Sequence, residues 1–454
     1  MKPALGAAFA ALMLFSALDA TAVTETVIQN FNANPAADGA YPGAALIFGP
    51  DGALYSTASG GGCGGGLHCG TLFQLAPPGQ GQSNWTFAPV YYFCNDTPPP
   101  QGQPCLLGNW PQASVITDSA VDNSGSFYTT TWIGGTDFFG IVTKITPPSQ
   151  GQTNWTGTAI YNFTGGADGG YPLSALIADQ SGALYGTTTV GGLYNNGAVF
   201  KLAPPSAGQT NWTETTIWSF SGGTYDGSYP IAGLIADQTG ALYGTTYDGG
   251  FSGSGTVFQL TPPGQGQSDW TETILWDFLG TTLEGTDGAF PAGKLIMDAS
   301  GNLYGTTTSG GFLLNDGTVF KLSPPGQGQT SWTETLLWSF SGSNGALPYG
   351  GLIMDKKGKL YGTTYSGGRA NDKVFGGTVF RLNPPALGKT NWTETILHKF
   401  LGGSDGAAPY DSVVPDASGN LYGTTAYGGG TACASSYALG CGTVFQITST
   451  GFKP

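Results

Sequence analysis

One pentad, Leu-Tyr-Gly-Thr-Thr or a close variant, recurs along the chain with its tyrosine at Tyr55, Tyr128, Tyr185, Tyr243, Tyr304, Tyr361 and Tyr422. Seven copies are spaced 57 to 61 residues apart, except for a first interval of 73, which places one insertion between copies one and two. Regular self-similarity of this kind constrains the fold more than any local pattern. Each unit carries four short runs of strand character, for example Leu234-Ile235-Ala236, Ala241 to Thr246, Thr256 to Leu260 and Thr271 to Phe278. An Asp-x-x-Gly turn (Asp237, Gly240) separates the first two runs. Pro262-Pro263 ends the third, because proline cannot donate to a strand ladder. Four strands per unit and seven units predict an all-β, seven-bladed β-propeller rather than a solenoid.

The chain ends support closure of a ring. The last copy stops after its third run, Gly442 to Ile447, and lacks the Trp-Thr-Glu-Thr strand of the other copies. The missing strand stands at the other end, as Thr24 to Phe31. It is therefore predicted to complete the last blade as its outermost strand, which removes two open edges. The Leu-Ile-x-Asp runs then become innermost. The loops entering them share one rim with the loops that follow Tyr-Gly-Thr-Thr, and the Asp-x-x-Gly turns and Pro-Pro loops share the other.

Residues 1–22 open with the cation Lys2, continue in an apolar run from Ala4 to Leu18, and end in Ala20-Thr21-Ala22. This reads as a cleaved signal peptide, leaving residues 23–454 as one propeller domain with no transmembrane segment. The expected location is secreted, periplasmic or cell-surface, and the expected state a monomer. Only 9% of residues are charged, the net charge is −14, and 77 residues are glycine. Nucleic acid is excluded as a partner, since it requires clustered Lys and Arg.

The Gly-rich units carrying Leu-Tyr-Gly-Thr-Thr, Gly-Thr-Val-Phe and Asn-Trp-Thr-Glu-Thr resemble the GloVer tandem-repeat family of exported bacterial proteins. The resemblance covers nearly all of residues 23–454. It implies export and a repeat scaffold, and it implies no established chemistry.

Six copies place an Asp or Asn four residues before a Pro, on the rim entering the innermost strand: Asp38, Asp168, Asp226, Asp287, Asn344 and Asp405. Such carboxylates could bind a polyol or calcium. Their recurrence favours turn formation, so no cofactor is expected and calcium stands as the alternative. Tyr41, Tyr171, Tyr229 and Phe290 precede that Pro, and their rings could stack on sugars or pack between blades. Six cysteines fall on the same rim as three local pairs, Cys63 with Cys69, Cys94 with Cys105, and Cys433 with Cys441. Export favours their oxidation. They gather on neighbouring blades seven, one and two, where loops depart from the repeat.

With only two histidines, His68 and His398, a His-based metal site or a Ser/His/Asp triad is not expected. Glu25, Glu214, Glu272, Glu334 and Glu394 lie on outermost strands, so carboxylates for glycoside chemistry would have to come from the loops, where Glu284 with Asp287 is the best local pair. Innermost strands are small and apolar apart from Lys294 and Ser174. The expected function is a non-catalytic exported binding or adhesion scaffold, taking a glycan or surface protein at the disulfide-bearing rim. A polysaccharide hydrolase or lyase and a structural surface protein are the alternatives.

Overall fold

The computed structural model describes residues 22–31, 38–62, 69–94, 105–118, 121, 124–280, 287–312, 315–368, 376–430, 433 and 440–454. The predicted signal peptide, apart from Ala22, lies outside them. Seven four-stranded antiparallel sheets form the blades of a propeller ring. Blades I to VI span residues 47–92, 116–162, 177–219, 235–277, 296–339 and 353–399. Blade VII combines Val414–Pro415, Leu421–Thr425 and Thr443–Thr448 with the N-terminal strand Thr24–Asn30, which is outermost. Thr24 pairs with Thr448 and Asn30 with Thr443, so the predicted closure is observed.

The innermost strands are shorter than the sequence suggests, two residues each, as in Ile235–Ala236. Close packing round the ring leaves little length for a straight ladder, and the chain turns away at once. Blade V adds Ala289–Pro291, paired with Leu303–Ser309.

Why the units form hairpins is plain in blade III. The Asp179 carboxylate accepts hydrogen bonds from the amides of Ser181 (2.8 Å) and Ala183 (3.0 Å) and from the Tyr185 hydroxyl (2.9 Å). Burial works against its charge, but the Ser181, Tyr185 and backbone bonds hold the carboxyl below the usual range. The tyrosine of the repeat thus locks the turn aspartate six residues before it. Blade I lacks that aspartate and has Gly49 instead. Asp51 takes its place, accepting from Tyr55 at 2.9 Å, and a Cβ at Gly49 would stand 2.7 Å from the Asp51 carboxylate. In blade II, Asp122 lies outside the described residues, and Asp118 accepts the Ser126 amide.

The hydrophobic core lies between blades, in seven clusters, one per junction. Within them, a Phe ending one blade meets the third-strand Phe of the next edge-on, as in Phe220 with Phe258 at 5.1 Å and Phe31 with Phe73 at 5.1 Å. Edge-on pairs of this kind add about 0.5–1.5 kcal/mol beyond their burial. Trp85, Trp155, Trp212, Trp270, Trp332 and Trp392 pack against six of these clusters as partly buried covers. Nearer the axis, threonine hydroxyls of one blade donate to backbone carbonyls of the next: Thr130 to Ser174 (3.1 Å), Thr306 to Gly350 (3.1 Å), and, across the closure, Thr424 to Ala44 (3.1 Å).

Candidate functional site

The loop entering each innermost strand contains a non-glycine residue in the left-handed region, directly before a proline: Tyr41, Trp110, Tyr171, Tyr229, Phe290, Leu347 and Ala408, with φ between 55° and 59°. A side chain in that region costs about 1–3 kcal/mol and persists only where the surroundings over-determine it. Here they do. The Tyr229 amide donates to Asn196 of the preceding blade (2.9 Å), and its carbonyl accepts from Tyr247 of its own (3.1 Å). The chain contains 77 glycines, yet it keeps side chains at these seven positions, five of them aromatic.

Those rings meet others at the ends of the second strands and form a broken collar. Trp110 stacks on Trp132 (5.1 Å), which contacts Tyr171 (5.8 Å), and Tyr247 stacks on Phe290 (5.1 Å). In blades VI and VII, where the pre-proline residue is Leu347 or Ala408, the aromatic appears two residues later, and Tyr349 stacks on Tyr410 at 5.1 Å. The collar rings remain half-buried, and Tyr229 and Tyr410 are each 40% exposed. They pack between blades and present ring surface at the same time.

Tyr349 and Tyr410 also line an axial cavity of about 260 Å³, to which the innermost segments of all seven blades contribute. Much of its wall is small and apolar, including Ala45, Ala175 and Gly233, with Gln112, Ser114, Ser174, Lys294, Asp411 and Ser412 as its polar members besides the tyrosines. Lys294 is expected from the sequence, whereas Asp411 is not. The signal was present: Asp411 stands two residues after the proline, where the other units have only Ala, Ser or Gly. Asp411 accepts hydrogen bonds from the amides of Ala45 (2.9 Å) and Ser412 (2.6 Å). Confinement pushes its carboxyl up, against those bonds and the charge of Lys294. The same confinement pushes Lys294 down, and Asp411 opposes that shift. The cavity therefore brings one amine and one carboxyl group, both pushed by burial towards their neutral forms, beside two stacked rings.

The loop carboxylates lie elsewhere. Asp168 accepts from Thr164 (amide, 2.9 Å) and Tyr161 (3.1 Å), Asp226 from Ser221 (amide, 2.6 Å), and Asp287 from Trp276 (3.1 Å). Asn344 accepts the Ser341 amide (2.8 Å), and Asp405 accepts the Leu401 amide (2.6 Å). Their partners sit on or just after the outermost strands, so the structure uses these groups to close turns, and none of them lines the axial cavity. The Asp38 carbonyl accepts from Thr71 at 3.4 Å. Glu284 lies outside the described residues, so its pairing with Asp287 is not seen.

The outermost-strand glutamates stand beside the same groups. Burial, reinforced by Asp226, pushes Glu272 up to about 9. Burial pushes Glu334 up to about 8, with Asp287 adding to it. Glu25 and Glu214 rise to about 7 through burial, with Asp405 and Asp168 respectively adding to the rise.

Two of the expected disulfides are present, Cys94–Cys105 and Cys433–Cys441. Cys69 is also disulfide-bonded, and its expected partner Cys63 lies outside the described residues. The stapled loops adjoin the collar, since the Tyr41 amide donates to the Cys441 carbonyl (2.7 Å). Apolar exposure is uneven between the two rims. Of twelve exposed large hydrophobic residues among the described ones, ten lie in loops of this rim, including Phe138, Tyr225, Phe251 and Phe312, and only Leu387 lies in a Pro-Pro loop.

The profile of the family described as the Gloeobacter/Verrucomicrobia repeat matches residues 108–282 and 209–437, more than half of the chain. The chain belongs to this family. No curated protein matches this Gloeobacter/Verrucomicrobia repeat protein. Among solved structures it is similar to a Thermus thermophilus protein provisionally named an oxidoreductase (glucose dehydrogenase), at 13% identity and a TM-score of 0.43, covering 94% of this chain and 99% of that one. It is similar to a Bacteroides uniformis protein provisionally named a 6-phosphogluconolactonase, at 12% identity and a TM-score of 0.42, covering 81% and 88%. It is also similar to PorZ, a bacterial surface component of the type-IX secretion system of Porphyromonas gingivalis, at 13% identity and a TM-score of 0.46, covering 88% of this chain and 46% of PorZ. The repeat family and the propeller ring together fit a surface or binding scaffold. Among the described residues no helix is long and apolar enough to cross a membrane, and the disulfides are consistent with an extracellular protein.

Proposed function

We propose that this protein is an exported, non-catalytic binding scaffold that takes a glycan on the disulfide-bearing rim, centred on the aromatic collar and the mouth of the axial cavity. One observation carries the reading: among the described residues, exposed aromatic and aliphatic side chains are concentrated on that rim and nearly absent from the other. Apolar surface gathered in one place marks a binding face. Half-exposed tyrosine and tryptophan faces with a few convergent polar groups suit sugar rings, whose C–H faces stack while their hydroxyls seek donors and acceptors such as Lys294, Asp411 and Ser412. The sequence places the binding loops on blades VII, I and II. The collar widens that region to the whole mouth.

The test is a panel of soluble polysaccharides scored by thermal shift, since a ligand that binds only the folded state raises the midpoint. Saturable stabilisation is expected for at least one glycan, lost in Tyr349→Ala/Tyr410→Ala while circular dichroism is unchanged. No shift across the panel would overturn glycan binding.

The alternative of a polysaccharide-acting enzyme gains one specific support, the oppositely shifted Lys294 and Asp411 in a single cavity. It predicts release of reducing ends or unsaturated sugar by the wild type, abolished in Asp411→Asn. Product formation of that kind would replace the non-catalytic reading.

A further inference from the structure

At the junction of blades VI and VII the repeat changes its chemistry. Where blades III, IV and V carry Trp218, Trp276 and Trp338 on their outermost strands, blade VI carries His398. In blade IV the equivalent indole only donates, Trp276 to Asp287 at 3.1 Å. An imidazole can instead offer a lone pair. His398 Nε2 lies 3.0 Å from Asp405 Oδ1, and Asp405 is itself oriented by the Leu401 amide, 2.6 Å from its other oxygen.

The third member comes from the other end of the chain. Glu25, on the closing N-terminal strand, brings a carboxylate oxygen so that the three donor atoms lie within 4.8 Å of one another. Oxygen Oε1 of Glu25 is out of contact with solvent and has no hydrogen-bond partner, as is true of Glu272, Glu334 and Glu394, but among the described residues only Glu25 has an imidazole beside it. A buried acceptor without a donor is costly and asks for a cation or a proton.

We propose that Glu25, His398 and Asp405 form a divalent metal site of the zinc class, which ties the closing strand to the blade before it. One imidazole and two carboxylates suit zinc, cobalt or nickel, whereas calcium and magnesium prefer all-oxygen sets. Bonds of about 2 Å would set tetrahedral ligand atoms about 3.3 Å from each other, so Glu25 would have to move in by no more than about 1.5 Å from the present 4.8 Å limit while the 3.0 Å contact of His398 with Asp405 opens slightly. The site has no counterpart at the other junctions, because blades I to V have no histidine at this position. Its consequence is mechanical, since the metal would fasten the one strand not held by chain connectivity to its blade.

The test uses the mature protein stripped with chelator and then titrated with zinc or cobalt. The wild type is expected to bind one equivalent, to gain several degrees in thermal midpoint reversibly with chelator, and to show the visible absorption of tetrahedral cobalt. His398→Trp restores the residue that other blades tolerate, so it should fold, and together with Glu25→Gln it should lose the cobalt band and the metal-dependent shift. Failure of the wild type to bind, or binding retained in His398→Trp, would overturn the proposal.

Discussion

Residue choices in the second and third strands are coupled, and the coupling explains the repeated glycine. In blade IV, Gly244 faces Phe258 across the sheet, and a Cβ there would lie 2.6 Å from the Phe258 ring and 2.9 Å from Leu234. Blades III, V, VI and VII repeat the pair, as Gly186 with Phe200 and Gly423 with Phe445. Blade II breaks both members together, with Thr129 facing Thr143, whereas blade I keeps the phenylalanine and tolerates a small side chain opposite it, Ser56 facing Phe73. In these five blades the glycine's missing side chain makes room for the phenylalanine on which the junction with the preceding blade is built. Gly244→Ala should destabilise the protein by about 1–3 kcal/mol through overpacking, measured by denaturant unfolding. A neutral result would mean that the ring has room the structure does not show.

At the scale of elements, closure rests on a strand from the opposite end of the chain. Phe31, directly after the closing strand, is fully buried and meets Phe73 at 5.1 Å and Phe87 at 5.5 Å in blade I. Phe31→Ala should cost about 3–5 kcal/mol, read by urea denaturation, and should raise hydrogen exchange first in Thr443–Thr448, the strand to which Thr24–Asn30 pairs. Exchange rising equally in all blades would argue that closure is not a separate event. Most of this was legible in the sequence: the seven tyrosines gave the count, and the displaced Thr24 to Phe31 segment gave the order within each blade. Asp411 is readable as a departure from the small residues the other units have two places after the proline, but its importance appears only when seven separate segments converge on one axis. The loop aspartates were legible as turn residues from their recurrence, and Asp168, Asp226 and Asp405 accept amide hydrogen bonds within their own loops, as Asp168 does from Thr164.

For the whole molecule, the outermost-strand glutamates set an unusual pH dependence. Burial raises Glu272 to about 9, Glu334 to about 8, and Glu25, Glu214 and Glu394 to about 7, against 4.5 for an unperturbed glutamate. As pH rises above 4.5 the unfolded chain releases protons that the folded chain retains, so folding stability must fall. The turn aspartates Asp179, Asp237 and Asp298, though burial opposes it, are held low by their hydrogen bonds and act oppositely, losing their contribution only as pH drops below the usual carboxylate range. The thermal midpoint of metal-free protein should therefore peak near pH 5 and decline steadily to pH 9. A midpoint that climbs between pH 5 and 8 would contradict this account of the junctions.

The two rims differ in kind, one bearing the collar, the stapled loops and the exposed aromatics, the other bearing the turns and Pro-Pro loops. Hydrogen exchange with a saturating bound polysaccharide tests that division most directly. Protection is predicted around Trp110, Tyr229, Tyr349 and Tyr410, with the Pro-Pro loops unchanged. Protection centred on the Pro-Pro rim, or on the outermost strands, would contradict it.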